Sequence, residues 1–284
     1  SFNPGYAGIT NSICGTIMGR QQWAGFDGSP TTGLVNVHMP VKLLRGGVGL
    51  TYLNDQLGFE KNNIARLSYS YHLGGIGPGT LGIGISGGIV QKSIDANWIT
   101  PDGTPASNDP TINTGGVLGN VSNISELVSD FNLGAFYQAP NMYFGLSATH
   151  IGQAEMLDLN VQNVHHYWLT AGYTHPFNPN LKLRPNILVK SDVASTQIDL
   201  NANVLYKDKV WGGLTYRLGD AIAPMIGYQH QFSPNATLRA GYSYGITTSQ
   251  IKSYSSGTHD FMINFCFNME KPPILQKSKN PRFL

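Results

Sequence analysis

From Gln197 to Tyr206 the chain changes character at every step. Ile198, Leu200, Ala202, Val204 and Tyr206 are apolar, and Asp199, Asn201 and Asn203 between them are polar, with Leu205 the one exception. A two-residue period is that of an extended strand with one apolar face. The pattern recurs at Ala65/Leu67/Tyr69/Tyr71, Phe131/Leu133/Ala135/Tyr137, Leu238/Ala240/Tyr242/Tyr244 and Phe261/Ile263/Phe265/Phe267. A soluble sandwich also alternates, but its outward face would be rich in Lys and Glu. Here the polar rows hold Gly, Ser, Asn, Thr and a few Arg. They suit a crowded wet lumen better than bulk water.

Composition narrows the choice. Only 12% of the 284 residues are charged, and 34 are glycine. Mean hydropathy is −0.14, and no apolar run reaches the roughly 18 residues that a membrane-crossing helix needs. Low charge without an apolar run fits an all-β fold, a transmembrane antiparallel β-barrel in which only alternate residues meet lipid. The net charge of +2 gives no case for nucleic acid. No cleavable leader is visible, which suits a mature exported chain or a cytosolic one.

About fourteen strands are expected, near residues 13–22, 31–39, 46–53, 63–73, 79–92, 130–138, 142–151, 164–175, 181–190, 197–206, 209–218, 222–232, 236–245 and 258–268. The connections sort by side. One side has short turns, such as 139–141, 175–180, 207–208 and 233–235; the other has the long loops 93–129, 152–163 and 246–257. In outer-membrane barrels short turns are periplasmic and long loops external, which puts both termini in the periplasm. Residues 1–268 then form the barrel with a short N-terminal periplasmic segment, and 269–284 a periplasmic tail. Tyrosines 71, 137, 173, 206, 216, 228 and 244 fall near strand ends, as an interfacial belt against outer-membrane lipid would.

The stretch Gly74–Gln91, GGIGPGTLGIGISGGIVQ, imitates several motifs. A dinucleotide loop needs a helix after it, and a nucleophile elbow at Ser86 needs a strand-to-helix turn. The residues after Gly77 alternate like a strand, so both are rejected and the glycines are read as lumen-facing, leaving room for something that fills it. His165 and His166 are the only close histidine pair, and adjacent strand residues point apart, so no metal site is expected. A barrel phospholipase would need Ser and His together on the lipid face. His150 has the apolar phase and Ser147 the opposite one. No catalytic residue and no cofactor are assigned. The inward cations Arg20, Arg66, Lys182, Arg184, Lys190, Arg217 and Arg239 outnumber inward acids. They fit an anion-selective pore, pairing with an internal plug or with lipid phosphates, or scattered solvated charges.

Cys14 lies near the start of the first strand and Cys266 near the end of the last. Closing an even-stranded barrel makes these strands antiparallel neighbours, and the phase of both residues is inward. Their Cα atoms are therefore expected within about 7 Å, the reach of a disulfide; two separate thiols remain the alternative. Beyond the last strand, Lys271, Lys277, Lys279 and Arg282 make a basic arm that Pro272 and Pro273 keep off the sheet. It reads as a periplasmic docking segment.

Asn3-Pro4-Gly5-Tyr6-Ala7-Gly8, Arg20-Gln21-Gln22-Trp23 running into Gly25–Thr31, and Gly46–Asp55 with Gly58-Phe59 resemble the PorP/SprF family of type IX secretion membrane proteins of Bacteroidetes. The resemblance runs over most of the chain and is most specific in the first 75 residues. Gly5 stands where the family more often has Ala. It implies a non-enzymatic outer-membrane barrel serving type IX secretion, and in some members gliding motility. Its partners would be type IX secretion components or the C-terminal domain of a secreted adhesin. The contact surface expected is the external loops 22–30, 93–129, 152–163 and 246–257. Trp23, Phe26, Asp27 and Trp98 are the candidate partner-binding residues, since loop aromatics concentrate binding energy; interfacial belt residues are the alternative. A passive pore or small-solute transporter is the second functional reading.

Overall fold

A computed structural model describes residues 2–94, 124–156, 159 and 161–269. Its strands are β1 (Ser12–Gln21), β2 (Thr31–Val41), β3 (Gly46–Leu57), β4 (Glu60–Ile76), β5 (Gly79–Ile94), β6 (Ile124–Gln138), β7 (Met142–Thr149), β8 (Glu155–Met156), β9 (Val161–Gln162), β10 (His166–Tyr173), β11 (His175–Asn178), β12 (Leu181–Ser191), β13 (Thr196–Tyr206), β14 (Val210–Arg217), β15 (Ala221–Ser233), β16 (Ala236–Thr247) and β17 (Thr258–Asn268). β8 and β9 form a small hairpin of their own. β10 and β11 follow one another along the same partner, β12, and count as one stave. The remaining strands pair antiparallel with their sequence neighbours, and β1 pairs with β17 from Ser12↔Asn268 to Gln21↔His259. The wall is thus a closed fourteen-stranded antiparallel barrel.

Burial runs opposite to that of a soluble protein. Leu67, Ile85 and Ile226 are 65%, 57% and 61% exposed on the outer face, whereas Ser70 and Asp130 are 0% and 2% exposed inside. An apolar belt outside and polar groups inside are stable only where lipid is the outer solvent. Tyr71, Tyr173, Tyr206 and Tyr228 lie exposed near the short-turn ends of their strands. The turn after β13 has Lys207 and Asp208 at φ 50° and 54°, the left-handed pair that matches the twist of a tight hairpin.

Two boundaries and the phase of one residue differ from the sequence reading in ways that bear on the site. β6 begins at Ile124, so the loop expected over 93–129 is shorter, because Ser125 and Leu127 pair with Ser93 and Gln91 of β5. Residues 175–178, expected as turn, are strand β11, which pairs only with β12; the missing N–H of Pro176 therefore removes no ladder bond. His150 does not keep the outward phase. It follows the end of β7 at φ 59°, and this left-handed step turns its ring inward.

The wall is uneven in height. β4, β5 and β6 have 17, 16 and 15 residues, whereas β7 has 8.

Candidate functional site

The residues ahead of β1, expected outside the barrel, fold into its lumen at the short-turn end. Asn3 caps the 3-10 turn Pro4–Tyr6 by accepting from the Gly5 N–H at 2.9 Å. Its amide donates to the carbonyls of Ala135 and Leu146 at 3.0 and 3.1 Å, tying the turn to β6 and β7. Ser70 Oγ donates to the Gly5 carbonyl at 2.9 Å, His72 Nε2 lies 2.9 Å from the Ala7 carbonyl, and the Gly8 N–H donates to His38 Nδ1 at 3.3 Å. The Tyr6 ring packs edge-on to His38 and Phe136, and Phe2 stacks on Trp168 at 4.4 Å. Burial pushes the Tyr6 phenol above its ordinary pKa.

The glycines of β5 find their purpose here. A methyl on Gly5 would lie 2.7 Å from the Gly82 carbonyl oxygen, and one on Gly84 would run into Pro4. β5 and the plug approach backbone to backbone, which only residues without Cβ permit. Ser86 is 6% exposed and accepts from Asn132 Nδ2 at 2.9 Å. It belongs to a structural row and no strand-to-helix turn surrounds it.

Above the plug a buried polar network joins β4, β5, β6 and the end of β7. Arg66 Nε meets Asp130 Oδ2 at 2.6 Å, with side chains 10% and 1% exposed. His150 Nδ1 stands 2.8 Å from Asp130 Oδ1. Asn132 binds Asp130 through Nδ2 and accepts from the His150 backbone N–H. Ser147 is 8% exposed on the inner face, and its Oγ has no partner among the described residues. Ser147 and His150 are thus both turned from lipid, which leaves a lipid-face hydrolase without its pair. His165 and His166 each contact a backbone carbonyl, and no group of three metal-ligating side chains occurs among the described residues.

The other lumen cations divide. Arg20 meets Asp260 at 2.5 Å, Lys182 meets Asp208 at 2.6 Å, and Arg217 lies between Asp199 and Asp220 at 3.2 and 3.3 Å. Lys190 sits over the Trp168 ring at 5.3 Å. Arg184 and Arg239 line a lumen cavity of about 360 Å³, and Arg239 also borders one of about 380 Å³ against Tyr6 of the plug.

At the closing seam Cys14 and Cys266 are joined by a disulfide, with Cα atoms 4.1 Å apart and a separation of 252 positions in sequence. At the opposite end of the same seam the loop after β1 is knitted to the loop before β17. Trp23 N–H donates to Thr258 Oγ1 at 3.2 Å, Ala24 N–H to the Gly257 carbonyl at 2.7 Å, and Ser256 N–H and Oγ to the Ala24 carbonyl. Gly58 N–H adds a bond to the Gly28 carbonyl at 3.0 Å. Trp23 is half-buried with φ 52°, while Phe26 is 38% exposed and Asp27 is exposed. Trp98, and the tail residues Lys271, Lys277, Lys279 and Arg282, lie outside the described residues.

Sequence reasoning places glycines in the lumen but does not identify Asn3–Ile9 as the segment that fills it. Asn3-Pro4, a turn-initiating pair ahead of the first strand, is the signal available.

Solved structures share the fold. CymD, a monoaromatic hydrocarbon channel, aligns with TM-score 0.55 at 12% identity over 92% of this chain and 88% of its own. The toluene transporter TbuX of Ralstonia pickettii aligns with TM-score 0.54 at 13% identity over 93% and 92%. The P. putida toluene transporter TodX gives 0.52 at 9% over 92% and 90%. No curated protein matches the chain in sequence. The family pattern described as type IX secretion system membrane protein PorP/SprF matches residues 1–265. With an inside-out fourteen-stranded wall beneath it, that match over nearly the whole length makes this chain a member of the PorP/SprF family of outer-membrane type IX secretion proteins.

Proposed function

We propose that this barrel is a non-enzymatic binding protein of type IX secretion, holding a secreted surface protein's C-terminal domain or a component of the secretion machinery at the outer membrane. The observation that carries the reading is the joined loop surface above the seam. Five backbone or side-chain hydrogen bonds fix residues 22–30 against 254–258 and Gly58, and a preorganised surface loses little conformational entropy on binding. Phe26 and Asp27 project from it. The plug supports the same reading, because a narrowed short-turn mouth suits a docking scaffold better than a wide conduit.

The short turns beside both termini support a periplasmic location for them, and residues 269–284 are assigned to docking there. Affinity purification of the tagged chain from native outer membranes tests the proposal. Wild type should retain a secreted protein or secretion component, and Phe26→Ala with Asp27→Ala should retain at least about tenfold less, an effect of some 1.4 kcal/mol. Recovery of no type IX protein from wild type would overturn it.

A second reading, a passive pore or small-solute transporter, is favoured by the two open lumen cavities and by the shared fold with hydrocarbon channels. A stable conductance of the pure protein in planar bilayers would support it.

A further inference from the structure

The wall does not share counter-charges evenly. Arg20, Arg66, Lys92, Lys182 and Arg217 each lie within 4 Å of a carboxylate. Arg184 and Arg239 do not, among the described residues, and these two line the same cavity of about 360 Å³.

Their positions are not accidental to the register. Arg184, opposite Asn203, has the phase of Asn186, whose side chain bonds Tyr143 and Asn201 inside the lumen. Arg239 stands between Gln229 and Asn264, donating Nε to Gln229 Oε1 at 2.9 Å and Nη1 to Asn264 Oδ1 at 3.0 Å. Both partners are neutral oxygens, so the guanidinium is oriented but its charge is not compensated among the described residues. Asp208, on the turn beside β12, is taken by Lys182 at 2.6 Å. Arg239 also borders the second cavity, about 380 Å³, against Tyr6 of the plug and the seam disulfide.

Two uncompensated cations facing one walled space raise the local concentration of anions, because protein walls focus the field instead of screening it. Guanidinium is moreover the side chain whose forked donors match an oxyanion. A neutral solute would leave both charges unsatisfied. We propose that Arg184 and Arg239 form a lumen site for an oxyanion group, a carboxylate or phosphate, reached from the short-turn mouth beside the plug. The site rests on lumen geometry and stands or falls independently of the partner surface above the seam.

The test is calorimetric titration of the purified full chain in detergent, at low ionic strength, with sodium phosphate and separately with an acetylated, amidated tetraglutamate peptide. Wild type should bind one ligand per barrel with at least one probe. Arg184→Gln and Arg239→Gln should each weaken binding at least about tenfold, and the double variant should abolish it. Arg45→Gln, in the exposed turn after β2, should bind as wild type. Phosphate binding identifies a free anion as occupant, and peptide binding alone identifies an acidic protein segment; either upholds the site. If the Gln variants fail to give the compact heat-modifiable gel band, Arg184→Lys and Arg239→Lys keep the charge and lose the fork, and they should bind more weakly than wild type. Failure of wild type to bind either probe, or undiminished binding by the substituted proteins, would overturn the proposal.

Discussion

Removing the seam disulfide should weaken the barrel without changing its shape. Cys14 and Cys266 are 252 positions apart, so the bond closes nearly the whole chain into one loop. For a loop of about 250 residues the chain-entropy model gives about 5.5 kcal/mol at 25 °C. That is an upper figure, because a denatured barrel in detergent keeps some order and measured values run at about 2–4 kcal/mol. The native ladder tolerates the loss, since β1 and β17 stay paired over their whole facing length from Ser12↔Asn268 to Gln21↔His259. At about 2–4 °C per kcal/mol for a chain of this size, a loss of about 3 kcal/mol corresponds to about 6–12 °C. The assay is the temperature at which the compact heat-modifiable band disappears on a non-reducing gel. Cys14→Ser with Cys266→Ser should fall by this amount, and wild type treated with reductant should match it. A midpoint lowered by less than about 2 °C in both would refute the reasoning. So would two free thiols titrated in unreduced protein.

Other consequences are open to measurement. Gly84→Leu puts a side chain where Pro4 lies and should expel the plug, raising planar-bilayer conductance and exposing residues 2–9 to protease; unchanged conductance and resistance would show that the plug is not held there. Asp130→Asn leaves the Arg66 guanidinium without its carboxylate and should cost about 3 kcal/mol, read as a lower heat-modification midpoint, while Arg66→Met with Asp130→Leu should recover most of it. Deleting residues 271–284 should leave the compact band intact but reduce co-purification with periplasmic secretion components, and unchanged recovery would remove the docking role. Ser86→Ala should alter no activity of the pure protein; loss of a hydrolytic activity would contradict the non-enzymatic reading.

The wall is legible because a strand's two-residue period depends on neighbours alone. Phe131 and Leu133, outward by phase, are 56% and 52% exposed. Where a strand exists through its partner instead, the sequence is silent. Ile124–Ser129 reads Ile-Ser-Glu-Leu-Val-Ser, with no alternation, and is extended by β5 beside it. His150 departs from its apparent phase because one left-handed residue reverses it, and nothing in His-Ile-Gly announces φ 59°. The charge pairs are illegible for another reason: Arg20 and Asp260 are 240 positions apart, and Arg66 and Asp130 are 64 apart. An excess of inward cations can be counted, but only the register shows that acids neutralise four of the seven and leave Lys190 over Trp168 and Arg184 with Arg239. The candidate loop residues divide similarly. Trp23 is pinned by Thr258 across the seam, a contact that no local pattern encodes.

The uneven wall has a consequence for the surrounding bilayer. Eight residues rising about 3.3 Å each span about 26 Å, and a strand tilt near 40° reduces this to about 20 Å along the membrane normal. The apolar band of such barrels is about 25 Å tall, so lipid beside β7 has to thin by about 5 Å, while beside β4, β5 and β6 it does not. Each ångström of mismatch costs a fraction of a kcal/mol, summed over the lipids at that flank. A neighbour with an equally low flank relieves the deformation by sharing it, so the thin side of this barrel favours lateral company in the membrane without any direct protein contact.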